Sequence, residues 1–285
     1  MRRPLLALGA ALAAAAAITL VLLAARHERG DPARCPDGLS AQAFRCCASG
    51  QHLSGGACVA PPTRCPRGFV PRSEGCVAEV RRIHFPGGKI ELSSVDWEAE
   101  GVAAPGRVEV KPFDLDSVEV TVERWSACAA NGVCPSLAPR EPGVPVTGIH
   151  AEDAEKLCAS SGGRLPTGDE WLFAAAGESA RRYPWGQTGL VCRRAAFGLV
   201  AGPCASGGAG PELAGARPDG RSPEGVLDLA GNVAELAREP DGSVRARGGS
   251  FRSSVAGALK SWAAEPFAGP SDHVGFRCAY PPGPH

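Results

Sequence analysis

The stretch RARGGSFRSSVAGA, Arg245 to Ala258, has the makeup of a functional loop. Two glycines stand beside an arginine, a serine and a phenylalanine, in a region with almost no helical periodicity. It holds no cysteine, histidine or carboxylate, so it lacks the side chains that ligate soft metals or move protons near neutral pH. Ser253 would serve as a nucleophile only with a base at hand, and no neighbour in the chain supplies one. A second stretch, DLAGNVAEL, sets Asp228 and Glu235 seven residues apart around a glycine–asparagine turn. Hard carboxylates beside turned carbonyls suit calcium. The alternative is a solvated turn with two ordinary carboxylates. The six histidines are His27, His52, His84, His150, His273 and His285, and none share H-x-x-x-H or similar spacing. His150 reads as a cap or surface residue; for His273, facing a groove is the lesser of two readings beside an ordinary surface position.

The twelve cysteines all follow an apolar amino-terminal run. An even dozen thiols points to disulfide staples in an oxidising compartment. Zinc is disfavoured, because no CxxC pair occurs and the adjacent Cys46 and Cys47 suit no single tetrahedral site. Six of the cysteines crowd into Cys35–Cys76, where two imperfect copies of C-P-x-G each lead to a later G-x-C-V or G-C-V. That segment has too little apolar content for a core, so disulfides must hold it as a stalk or small module over residues 30–79. Six cysteines allow fifteen pairings, and spacing does not choose among them.

The run Leu5–Ala25 is uncharged, with arginines on both sides. A spanning helix needs about 20 apolar residues, so a signal anchor over residues 1–29 is expected. It would leave the body of the chain outside the inner membrane, in the periplasm or beyond the cell. The alternative is a cleaved signal and a secreted protein. Net charge is zero, which leaves no basic excess to neutralise phosphates and argues against nucleic acid as a partner.

Certain elements must position these residues. The 37 glycines and 26 prolines call for many short pieces joined by turns. RRIHFPGGKIEL and GRVEVKPFDLDSVEV alternate apolar and polar residues like half-buried strands. TVERWSACAA places Val122, Trp125 and Cys128 or Ala129 on one helical face, and AEDAEKLCASS does so with Ala154, Leu157, Cys158 and Ser161. Thr167 followed by Glu170 forms a capping box, so a helix should begin there and end near Gly177. Beyond Gly186 little periodicity remains, and a loop-rich half with short strands is expected.

Eight phrases, in order, carry a resemblance: FPGG (85–88), FDLDSVEVTVERW (113–125), PV then DAEKLC (145–158), GGRLPTGDEW (162–171), YPWG (183–186), DLAGNVAEL (228–236), RGGSF (247–251) and GFRC (275–278). Over about residues 80–281 the chain resembles the formylglycine-generating enzyme, or sulfatase-modifying factor, family. Residues 282–285 form a tail. The resemblance implies an α+β fold, irregular, loop-rich and C-type-lectin-like, stabilised by disulfides and here preceded by the anchor and the Cys-rich segment. Family enzymes oxidise a sulfatase cysteine to formylglycine, using copper(I) held by two thiolates. Those thiolates fall at Ser253 and Ala258 of this sequence, so no copper is expected. The resemblance also implies a structural Ca²⁺ held by the side chains of Asp228 and Glu235 and main-chain oxygens of Leu229, Gly231 and Val233. A second calcium site of the family would begin at Ala196, which has no ligand to give. The implied disulfides are Cys158–Cys278, with Cys128–Cys134 and Cys192–Cys204 as local pairs. A non-catalytic binding or accessory protein follows, with a peptide, protein or glycan in the groove and the membrane engaged through the amino-terminal helix. The alternative is an oxidase or maturation enzyme using a different metal site.

Overall fold

The computed structural model describes residue 35 and residues 39–42, 45–54, 57–65, 69–71, 76–92, 106–187, 189, 191–205 and 207–283. The apolar run Leu5–Ala25 lies outside them. Among the described residues no helix is long and apolar enough to cross a membrane.

The Cys-rich segment is a row of hairpins: β1 (Leu39–Gln42) with β2 (Arg45–Ala48), β3 (His52–Ser54) with β4 (Ala57–Val59), and β5 (Phe69–Pro71) with β6 (Cys76–Ala78). Cys47–Cys58 ties β2 to β4, and Cys65–Cys76 closes the last hairpin. Phe69 and Ala78 of that hairpin share an apolar cluster with Val118, Ala214 and Leu227. The N–H of Arg81 donates to Ser117 Oγ at 2.9 Å. A boundary drawn at residue 80 therefore cuts through packed side chains, because the hairpin has too little core of its own and borrows one.

From β7 (Arg82–Phe85) onward the chain is mixed α and β. β8 (Gly88–Leu92) pairs with β9 (Gly106–Val110). β10 (Phe113–Asp116) lies between β7 and β15 (Ala279–Tyr280) in a three-stranded sheet. The alternating sequence predicts a half-buried strand, but every residue of β10 is buried. Its two aspartates survive burial because each is answered. Asp114 meets His84 Nδ1 at 2.8 Å and the N–H of Gly283 at 3.0 Å. Asp116 accepts from Arg124 Nη1 at 2.5 Å and from the N–H of Cys278 at 3.1 Å.

The helices are α1 (Val122–Ala130), α2 (Ala151–Ser160), α3 (Gly168–Ala176) and the short α4 (Val191–Arg194). α1 buries Val122, Trp125 and Cys128, and α2 buries Ala151, Ala154, Leu157 and Cys158. His150 is the N-cap of α2 but makes no side-chain capping bond. Thr167 caps α3: its Oγ1 accepts from the N–H of Glu170 at 3.1 Å, and Glu170 Oε2 accepts from the N–H of Thr167 at 2.9 Å. Gly177 ends that helix. The loop-rich half contains a second sheet in the order β13 (Ala264–Pro266), β12 (Val244–Arg247), β11 (Ala234–Arg238), β14 (Val274–Gly275).

Cys158 on α2 is bonded to Cys278, just before β15, across a sequence separation of 120. Both are fully buried. Cross-linking so long a loop restrains the unfolded chain by about 4–5 kcal/mol in the chain-entropy model. Replacing both cysteines by alanine should lower the unfolding free energy by about that much in urea titrations; a loss under about 1 kcal/mol would show that the bond adds little to the packing around it.

Candidate functional site

One face of the second sheet forms the floor of a groove of about 440 Å³. Ala234 on β11, Ala246 on β12 and Val274 on β14 share that face, and Glu265 on β13 (Ala264–Pro266) stands in register with Ala246. Beyond β12 the chain turns through Gly248 and Gly249, both at positive φ (84° and 66°). A Cβ on Gly248 would come within 2.8 Å of the Leu229 carbonyl oxygen, and one on Gly249 within 2.8 Å of the Ala258 carbonyl oxygen. The two glycines of RGGSF are thus required by backbone conformation and by close approach. The turn is pinned to DLAGNVAEL: the N–H of Gly231 donates to Gly248 O, and the N–H of Phe251 donates to Asn232 O, each at 2.9 Å.

That turn delivers Ser253 and Ala258 to one wall of the groove. Ser253 Oγ accepts from the N–H of Ser250 at 3.0 Å, a local bond that holds the loop. Ala258 lies in a 3-10 turn, Ala256–Leu259. A protonated hydroxyl and a methyl offer copper(I) no soft ligand, so the family's copper does not fit this wall. No cysteine among the described residues is free. Cys128–Cys134 and Cys192–Cys204 are bonded, as is Cys158–Cys278, and none lines the groove. His273 does face it, with Nδ1 at 3.2 Å from Asp272 Oδ1, and Asp272 is also paired with Arg252. The remaining wall mixes polar Ser254 and Ser271 with apolar Val255, Pro266 and Phe267.

Behind the sheet lies a buried charge cluster. Glu235 is 1% exposed and Arg277 is fully buried. Arg277 donates to Glu235 through Nε at 2.7 Å and Nη2 at 2.5 Å. Trp171 Nε1 donates to the same carboxylate at 2.8 Å. Arg277 also donates to the carbonyl oxygens of Asp116 and Leu227, at 3.0 and 2.8 Å. Asp228 is buried at φ 56°, and its Oδ2 accepts from the N–H of Gly215. Burial pushes its carboxyl up to about 6. Glu119 is buried beside it, and burial followed by the Asp228 charge holds its carboxyl well above the usual carboxylate range.

The calcium set implied by the resemblance does not fit this arrangement. Asp228, Leu229, Gly231, Val233 and Glu235 lie on one buried stretch that runs from a loop into β11. Both carboxylate oxygens of Glu235, however, are taken by Arg277 and Trp171. Among the described residues no group of three or more His, Cys, Asp or Glu side chains is arranged to hold a metal ion. Ala196, where a second calcium site of the family would begin, is buried, and its carbonyl oxygen accepts from the N–H of Asn232 at 2.8 Å. Sequence reasoning missed Glu119 and Arg277. The signal for Glu119 was present: in DSVEV a lone charge interrupts a run of valines, and a buried charge there must find an answer.

Residues 73–281 match the family model described as a sulfatase-modifying factor enzyme 1-like domain. The chain belongs to this family. Within it, a mouse protein named inactive C-alpha-formylglycine-generating enzyme 2 is 28% identical over 154 residues, covering 36% of this chain and 50% of that one. The chain thus spans about half the length of the curated relative it matches. Three solved structures share the fold. A Treponema denticola variable protein aligns at TM-score 0.56 and 18% identity over 70% of this chain and 95% of that one. PvdO from Pseudomonas aeruginosa aligns at 0.57 and 18% over 70% and 93%. CarF aligns at 0.50 and 19% over 72% and 99%.

The Glu235–Arg277 pair yields a stability prediction. Removing one partner of a buried ion pair strands the other charge, at a cost of about 3–5 kcal/mol. Arg277→Met should destabilise the domain by that amount in denaturant titrations; a loss below about 1 kcal/mol would mean that the cluster does not depend on the guanidinium.

Proposed function

We propose that this protein is a non-catalytic member of the sulfatase-modifying factor family, an exported, tethered binding or accessory module. The observation that carries this is the pair Ser253 and Ala258. Both stand on the wall of the groove, where the family enzymes carry their copper thiolates. The turn that leads to them runs through two positive-φ glycines, Gly248 and Gly249. Without soft ligands the groove has nothing to activate oxygen or a substrate thiol.

What remains is a concave surface whose lining mixes small, polar and apolar side chains. Such a surface suits recognition of a peptide, a protein loop or a glycan, since function on this kind of scaffold rides on its loops. The name of the mouse relative, an inactive enzyme of the family, supports the same reading. Disulfides in this number belong to an oxidising, extracytoplasmic compartment, in keeping with export. Tethering rests on the sequence of Leu5–Ala25.

The test is catalytic. The purified extracytoplasmic part, incubated with copper, oxygen and a sulfatase-type cysteine peptide, should give no aldehyde by mass spectrometry. Clear turnover would overturn the reading. A Ser253→Cys, Ala258→Cys double variant should gain copper(I) binding if the groove keeps the family's geometry.

A further inference from the structure

The short helix α4 ends on two arginines with different surroundings. Arg193 pairs with Asp219. Arg194 has no such partner among the described residues: its Nε is buried without an acceptor, and the charges that act on it are the Arg193 cation and the carboxylate that Arg193 already holds. Its guanidinium carbon lies 5.7 Å from the centroid of the Trp185 ring, and Trp185 stacks on Tyr183 at 5.1 Å. A ring face attracts the charge but leaves the guanidinium N–H donors without oxygen acceptors. Burial, followed by the Arg193 charge, holds the Arg194 guanidinium below its ordinary range, though it stays protonated. The ground beneath it is firmly built. Cys192–Cys204 ties down α4. Arg217, itself matched by Glu212, donates to the carbonyl oxygen of Cys192. Gly220, in the 3-10 turn Pro218–Gly220, packs so closely on the Arg194 carbonyl that a Cβ there would clash. A fixed backbone thus presents two guanidiniums against the one carboxylate of Asp219.

We propose that Arg194, beside Trp185, binds a tetrahedral oxyanion of the sulfate or phosphate class, free or as the ester group of a ligand. The orphaned Nε points to the ligand, because a buried donor left unmade costs its desolvation and an anionic acceptor recovers it. The planar guanidinium fork suits two parallel bonds to such a group. A tetrahedral oxyanion offers acceptors in more directions than a carboxylate, so it can serve Arg194 without drawing Arg193 away from Asp219. The excess of one positive charge matches a singly charged ester. A half-buried pocket wall strengthens the attraction relative to open water. None of these residues lines the groove, so the site stands or falls apart from the non-catalytic reading.

The test uses the full-length chain in detergent, titrated with sodium sulfate, sodium phosphate and sodium acetate at constant pH and at an ionic strength held with chloride. Calorimetry and thermal melts report binding. Sulfate or phosphate should bind the wild type saturably, raise Tm above the chloride control and bind more tightly than acetate, and the tighter of the two arms names the acid. Arg194→Gln removes the charge with little loss of length. It should melt like the wild type in chloride and lose at least about tenfold in affinity for the anion. Selenate soaked into wild-type crystals decides the matter even if the variant fails to fold, and an anomalous peak within hydrogen-bond reach of the Arg194 guanidinium supports the site. No binding beyond the chloride control, acetate bound as tightly as either acid, unchanged affinity in Arg194→Gln, or no selenate peak at Arg194 would overturn it.

Discussion

Much of the domain depends on the contact between Arg277 and Glu235. Both are out of water, so the pair must offset a desolvation cost of several kcal/mol per ion through geometry and further hydrogen bonds. It does so with two donations to the carboxylate, a third from Trp171, and two from the guanidinium to the carbonyls of Asp116 and Leu227. Those partners come from the last strand region, α3, the end of β10 and the DLAGNVAEL loop. The pair thereby joins four parts of the chain that are distant in sequence.

From that joint the groove follows. Glu235 lies on β11, in register with Arg247 on β12, and Arg247 leads directly into the Gly248–Gly249 turn. Fixing Glu235 fixes the register, and the register fixes where Ser253 and Ala258 emerge. Ser253 and Ala258 lie past this framework, on a loop held by bonds of its own. A protein that keeps a costly buried network behind such a wall keeps the shape of the wall.

The elements legible in the sequence are those governed by local rules. The capping box at Thr167 and Glu170 gave α3 its start, and helical spacing gave the buried faces of α1 and α2. The pairing of Cys158 with Cys278 came from resemblance, since spacing alone selects no partner over that distance. What stayed hidden depends on remote partners. β10 reads as half-exposed because Asp114 and Asp116 alternate with apolar residues. It is central because Arg124, Cys278 and His84 arrive from elsewhere to satisfy those aspartates. Glu119 was overlooked for the same reason, and so was the docking of the β5–β6 hairpin through Phe69.

The proposed non-catalytic reading is tested most directly by elemental analysis by mass spectrometry of the extracytoplasmic part, exposed to equimolar copper(I) and freed of unbound ions. On that reading copper stays at background in the wild type and approaches one equivalent per chain in the Ser253→Cys, Ala258→Cys variant. Stoichiometric copper in the wild type would contradict it.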